Sequence, residues 1–238
     1  MIIANALVRN FQAPQPQKVS LAQLIKPFKE FDFILLGIAS LSIPYGYYGP
    51  LDYLQVLGLQ EGMKPSLAQY LIPILNAGSF FGRLFFGIAS DYLGKANTFI
   101  FVCYLSGIFI LAIWLPASGS AATITFAILY GISSAAYVSL MAPVMNLISP
   151  LPEAGYRLGI IFFITAVGGM ITVENGITSS GTYNSAGLTA TPVNGAILGS
   201  PGGATGLKIF SGVLFIAGTT FVLVLRVRRV GWKWNKRW

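Results

Sequence analysis

From Leu71 to Lys95 the chain reads LIPILNAGSFFGRLFFGIASDYLGK, an apolar run long enough to cross a bilayer with one cation, Arg83, inside it. A helix spans the roughly 30 Å hydrocarbon layer in about 20 residues. A charge held at that depth costs about 3 kcal/mol on insertion scales and therefore faces a cavity or a partner rather than lipid. The remainder of the chain is of the same kind. Of its 238 residues, 55% are hydrophobic and 9% are charged, where soluble domains carry about 25% charged residues. So few charges cannot coat a soluble surface, so the chain reads as an all-α integral membrane protein.

Six apolar segments predict six membrane-spanning helices near residues 31–57, 66–90, 97–115, 122–148, 158–173 and 209–225. The implied organisation is an N-terminal segment 1–30, a six-helix transmembrane domain 31–227 and a basic tail 228–238. Pro44 is expected to kink the first helix and Pro73 the second, because each removes a backbone donor. With Gly46, Pro50, Tyr45, Tyr47 and Tyr48, the middle of the first span reads as a broken, polar-lined helix. In segment 20–33, Leu21, Leu24, Ile25 and Phe28 recur at helical spacing, which fits either an interfacial helix or a linker.

Twelve of the 15 basic residues fall on the side of the two termini, against Lys64 and Lys208 on the other, with Arg83 between. The positive-inside rule then puts both termini in the cytoplasm of a multi-pass protein, with the plasma membrane as the expected location. The net charge of +8 thus points to lipid headgroups, not nucleic acid. The chain has no histidine and one cysteine, Cys103, in an apolar run. Together with the lack of a phosphate-cradling loop or clustered carboxylates, this predicts no metal, no cofactor and no enzymatic activity.

At 100° per residue, Asn76, Ser79 and Arg83 (i, i+3, i+7) fall on one face of the second helix. Gly78 and Gly82 form a GxxxG pair roughly 100–140° from Arg83, where a neighbouring helix approaches closely. A guanidinium is a planar fork that fits a carboxylate. Arg83 either binds an anionic substrate in a central cavity, with Asn76 and Ser79 lining the same face, or it snorkels or pairs with a structural acid. In the fourth span Gly131, Ser134 and Ala135 suit close packing, and Tyr130 and Tyr137 face either the cavity or the surrounding packing. Asp52 either lines the cavity or reaches the interface.

The second span ends in Gly87-x-x-x-Asp91-x-x-Gly94-Lys95. This resembles the cytoplasmic-loop motif G-x-x-x-D-x-x-G-[RK] of the major facilitator superfamily, found between the second and third helices of each six-helix half. Position, spacing and side agree. The resemblance implies a gating contact between Asp91 and a neighbouring helix end; on the residues alone the turn is also a cap and stop. From about residue 19 to residue 232 the chain further resembles the C-terminal half of monocarboxylate-transporter-like members. Asn76–Arg83 (NAGSFFGR), the turn just described, Tyr156-Arg-Leu-Gly159 and Gly187-Leu-Thr-Ala-Thr-Pro192 carry that likeness. It implies that Arg83 engages a substrate carboxylate. The aspartate that such proteins place one turn earlier, tied to proton coupling, is Ser79 here.

Two departures stand out. The superfamily binds substrate between two six-helix halves, and six helices lack the opposite wall. The expectation is half of a major facilitator fold, inactive alone unless completed by an N-terminal half or a second copy. The other departure is Met170–Ala186, MITVENGITSSGTYNSA, a polar stretch containing Glu174 that reads as an insertion, since its removal restores a continuous apolar span; it is expected to emerge outside as part of a loop of roughly thirty residues ending before Ile209, the alternative being a discontinuous binding helix. The expected function is alternating-access transport of small organic anions such as monocarboxylates. The alternatives are a channel subunit and a non-transporting scaffold or fragment.

Overall fold

The computed structural model describes residues 24–170 and 187–232, and every regular element among them is helical. The segment 171–186, the N-terminal 23 residues and the last six lie outside this description, so Glu174, most of the polar stretch and much of the basic tail do too. A short 3₁₀ turn, Lys26–Lys29, leads into α1 (Phe31–Gln60). There follow α2 (Leu71–Leu93), α3 (Lys95–Phe109) with a π-helical last turn at Ile110–Trp114, and α4 (Ser120–Ile148). The last three helices are α5 (Ala154–Met170), α6 (Gly187–Leu198) and α7 (Gly203–Val230).

Among the described residues, four helical stretches are long and apolar enough to cross a membrane: Pro65–Leu93, Lys95–Trp114, Ser120–Ile148 and Gly203–Val230. α1 has the length, 30 residues, but its Tyr-Gly-Pro centre dilutes its apolar character. α5 and α6 have 17 and 12 residues.

Several local expectations are corrected. α1 is not broken: it is continuous through Pro44 and Pro50, both buried. Donors from neighbouring helices serve the carbonyls of this stretch. The Tyr130 hydroxyl of α4 donates to the Tyr47 carbonyl at 3.0 Å, and the Asn194 amide of α6 donates to that of Tyr45 at 3.5 Å. The carbonyls that the two prolines leave without an N–H are those of Ser40 and Gly46, so these bonds tie α1 to its neighbours rather than replace the lost ones. The second span is interrupted just ahead of Pro73: a separate turn, Pro65–Ala68, precedes α2, and Pro73 lies in the first turn of α2. There its missing N–H has no intrahelical partner to lose. The expected loop to Ile209 does not hold either: Gly187–Leu198 is helical, and Gly195 packs on Tyr53 of α1. Ahead of α1, Ile25 and Phe28 are exposed while Phe33 is buried, and Phe28 meets Phe33 edge-on at 5.7 Å.

α2 packs on α4, α4 on α3, α3 on α7, and α7 on α1, with α6 lying against α1 and α7. The α2–α4 seam is made of small residues. A β-carbon on Gly78 would lie 2.9 Å from the Ile128 carbonyl oxygen, and one on Gly82 would lie 2.8 Å from the Ile132 carbonyl carbon. Gly131 answers from α4, against the Leu75 backbone. Backbones this close gain dispersion contact that lipid cannot supply.

Polar contacts gather at the two ends of the bundle. At one end, Arg157 is buried between Glu30 and Glu153, at 2.6 Å from each, and Lys26 reaches Glu153 at 3.2 Å. Nearby, Arg228 and Arg229 hold Asp32 at 3.0 and 2.5 Å, and buried Arg226 donates to the Asn97 side chain. At the other end, buried Lys208 donates to Glu61 at 2.8 Å and stands 5.5 Å from the Trp114 ring centroid. Between these layers runs a stack from Trp114 to Phe126 and on to Tyr130, each step 5.2 Å.

Candidate functional site

The seam that fixes α2 also decides where its polar side chains point. Ser79 lies beside Gly78, is 6% exposed, and donates to the Gly131 carbonyl of α4 at 3.2 Å. Asn76 and Arg83 lie on the exposed side of the same helix. Among the described residues Arg83 makes no hydrogen bond or ion pair, but it acts electrostatically on the hydroxyl of Tyr47 on α1. The amide and the guanidinium therefore share an open face, and the hydroxyl is committed to the helix contact.

Tyr47 belongs to an aromatic group that joins α1 to α4. Its ring meets Tyr48 edge-on at 5.2 Å and Tyr137 at 5.6 Å. Tyr137 in turn touches Phe99 and Phe215. Sequence reading left Tyr137 between cavity and packing; its neighbours are rings of α1, α3 and α7. Asp52, one turn beyond Tyr48, is exposed and acts on the Tyr47, Tyr48 and Tyr53 hydroxyls.

The turn after α2 depends on Gly94, whose φ of +94° an L side chain rarely adopts. Its N–H closes α2 on the Ser90 carbonyl at 3.0 Å, and the Ser90 hydroxyl donates to the Gly87 carbonyl at 2.7 Å. Asp91 and Lys95 are exposed, and neither enters an ion pair among the described residues. A side chain at Gly87 would meet open space.

The ion clusters at the two ends were not visible as clusters in the sequence. Arg157 read there only as a charge that sets orientation, and its partner Glu30 lies 127 residues away. Hydrogen bonding to Arg157 holds the Glu30 carboxyl below the usual carboxylate range. Bonds from Tyr156, Arg157 and Lys26 push that of Glu153 down to about 2. Among the described residues, no group of three or more His, Cys, Asp or Glu side chains is placed to hold a metal.

Membrane-length apolar helices, glycine-seamed packing and ion pairs confined to the bundle ends define a multi-helix integral membrane protein. No family model matches the chain. It is 42% identical over 221 residues to the MFS transporter asaE of Aspergillus flavus, covering 92% of this chain and 46% of that protein. It is 39% identical over 228 residues to the fujikurins efflux protein of Gibberella fujikuroi (95% and 45%). To the MFS-type transporter opdF of Penicillium oxalicum it is 38% identical over 233 residues (98% and 51%). Along nearly its whole length, then, the chain is a relative of the major facilitator superfamily transporters. It spans about half the length of the curated relatives it matches.

Proposed function

We propose that the chain forms the substrate-binding half of a secondary carrier for small organic anions such as monocarboxylates. It works by alternating access against a second bundle, a separate N-terminal half or another copy. The observation that carries this reading is Arg83. It is exposed in the middle of a membrane-length helix, without a counter-charge among the described residues, in a chain related to transporters along almost all its length. Its fork takes the carboxylate, Asn76 lines the same open face, and Ser79 holds α2 in place behind them. Glycines 87 and 94, with Asp91 and Lys95, form the turn that closes the inner side. Both termini face the cytoplasm of the plasma membrane. Support comes from Lys26, Lys29, Lys95, Arg157, Arg226, Arg228 and Arg229, which gather at one end of the bundle and leave Lys64 and Lys208 at the other. The efflux proteins among the relatives favour outward movement of the anion.

Uptake of a radiolabelled monocarboxylate into vesicles containing the chain, alone and together with the N-terminal half of one of its relatives, separates the readings. A carrier gives saturable flux, a channel subunit linear flux, and a scaffold none. Arg83→Lys keeps the charge and loses the fork, so carrier flux is expected to fall at least tenfold. Unchanged flux would remove Arg83 from substrate recognition.

A further inference from the structure

Arg83 shares its depth in the bundle with an aromatic wall supplied by two other helices. On α2, Asn76, Phe80, Arg83 and Gly87 recur at i, i+4, i+7 and i+11 and so lie along one face. Phe80 is 65% exposed, and the space beside Gly87 is open. Gly82, next to Arg83, packs on Ile132 of α4. Ile132 lies between Tyr130, whose hydroxyl holds the Tyr47 carbonyl, and Tyr137, whose ring meets that of Tyr47 at 5.6 Å. The guanidinium and the Tyr47 ring are thus level with one another. Tyr47 is only half-buried, and its backbone and ring are held by the two α4 tyrosines, so it is a fixed surface rather than a mobile one.

We propose that Tyr47, backed by Tyr137, is the specificity-determining wall of this site, and that the ligand gripped by Arg83 is a carboxylate carried on a planar aromatic or conjugated body. The inference rests on the anion-carrier reading of Arg83. A fork that holds a carboxylate fixes the direction in which the rest of the ligand leaves. Here that body passes between rings on α1 and α2. Ring pairs favour edge-to-face or offset contact beyond what area burial gives, an advantage a saturated body of equal size lacks. The phenol of Tyr47 adds a donor for the second carboxylate oxygen. An acetate-sized anion satisfies the fork and leaves the ring faces wet.

The residues named all lie on this chain, but the opposite wall does not, so binding is read in nanodiscs on the chain reconstituted with the N-terminal half of one of its relatives. The probes are trans-cinnamate and 3-cyclohexylpropanoate, equal in charge and similar in size, titrated by saturation-transfer NMR. Cinnamate is expected to bind about tenfold more tightly, the worth of one good ring contact. Tyr47→Leu brings the two acids within twofold of each other by weakening cinnamate alone, whereas Tyr47→Phe keeps most of the preference. If Tyr47→Leu does not fold, Tyr137→Leu is read in its place. Equal affinity in the parent chain, or a preference that survives loss of the ring, overturns the aromatic-carboxylate inference. It leaves the anion reading standing provided Arg83→Gln weakens both acids. If neither acid binds saturably, or Arg83→Gln changes nothing, the anion reading falls and this inference falls with it.

Discussion

Gly82→Ala is expected to push α2 off α4. The added β-carbon would stand 2.8 Å from the Ile132 carbonyl carbon and 2.9 Å from its Cα, where carbon–carbon contact is comfortable at about 3.5 Å. Both obstacles are backbone atoms within a helix, so no rotamer change relieves them. The helices must part locally by about 0.7 Å or more. One turn away, Ser79 donates to Gly131 at 3.2 Å, and that bond does not survive such a shift. Overpacking of this kind costs about 1–3 kcal/mol, and a buried hydroxyl left without its acceptor adds about 1 kcal/mol. Against this, alanine recovers about 1 kcal/mol of helix propensity. The net expectation is a loss of about 1–3 kcal/mol.

Gly87→Ala is the matched control. It sits on the same helix five residues on, receives the same propensity gain, and meets nothing within 4 Å. Steric-trapping measurements in bicelles give the unfolding free energy of each variant. The expected order puts Gly87→Ala at or above the parent and Gly82→Ala clearly below it. Equal stability of the two variants would refute the claim that α2 is held by backbone contact at this seam.

The ion layers give two further tests. Lys208 is 4% exposed with Glu61 at 2.8 Å, so Glu61→Gln strands a buried ammonium and is expected to cost about 3 kcal/mol, the low side of the range because Glu61 is partly wet. Glu61→Gln with Lys208→Met recovers most of that loss in a thermal melt, and a double variant no better than the single refutes the pairing. At the opposite end, the Glu30 and Glu153 carboxyls lie below their usual value of 4.5, Glu153 at about 2. Such groups stabilise the fold fully above the unfolded-chain value and lose that contribution as pH falls through the folded one. The melting temperature is expected to stay flat from about pH 7 to about pH 5 and to drop from there toward about pH 2. Arg157→Met shallows the drop, and an unchanged acid limb would refute the assignment.

Some of this was legible in the sequence because it is local. The Gly78–Gly82 pair and Gly131 advertise a close helix contact by spacing alone, and Gly94 marks the α2–α3 turn by its residue type. What failed depended on distant partners. Pro44 predicts a broken helix, yet α1 runs on through it, tied to α4 and α6 by Tyr130 and Asn194, 83 and 149 residues from their acceptors. The polar stretch hides α6, which lies against α1, where Gly195 meets Tyr53, and against α7. A helical wheel groups Ser79 with Arg83, and only the position of the α4 backbone shows that its hydroxyl is already engaged.

The contrast among cations is the strongest argument for the site. This fold can satisfy a buried cation: Arg157 has two carboxylates, Lys208 has Glu61 and the Trp114 ring, and Arg226 has Asn97. α2, by comparison, buries only 33% of its apolar window, against 44–56% for the other three membrane-length spans. In lipid the exposed Phe81, Leu84 and Phe85 carry no penalty, because acyl chains are as apolar as they are. Arg83 on the same helix does carry one, about 3 kcal/mol at full depth. Small residues confine the α2 packing to a narrow seam and leave the rest of its circumference unused. In a bundle that pairs its buried end-layer cations, the guanidinium on that unused side has no ion-pair partner among the described residues, which is the feature the proposed anionic ligand would answer.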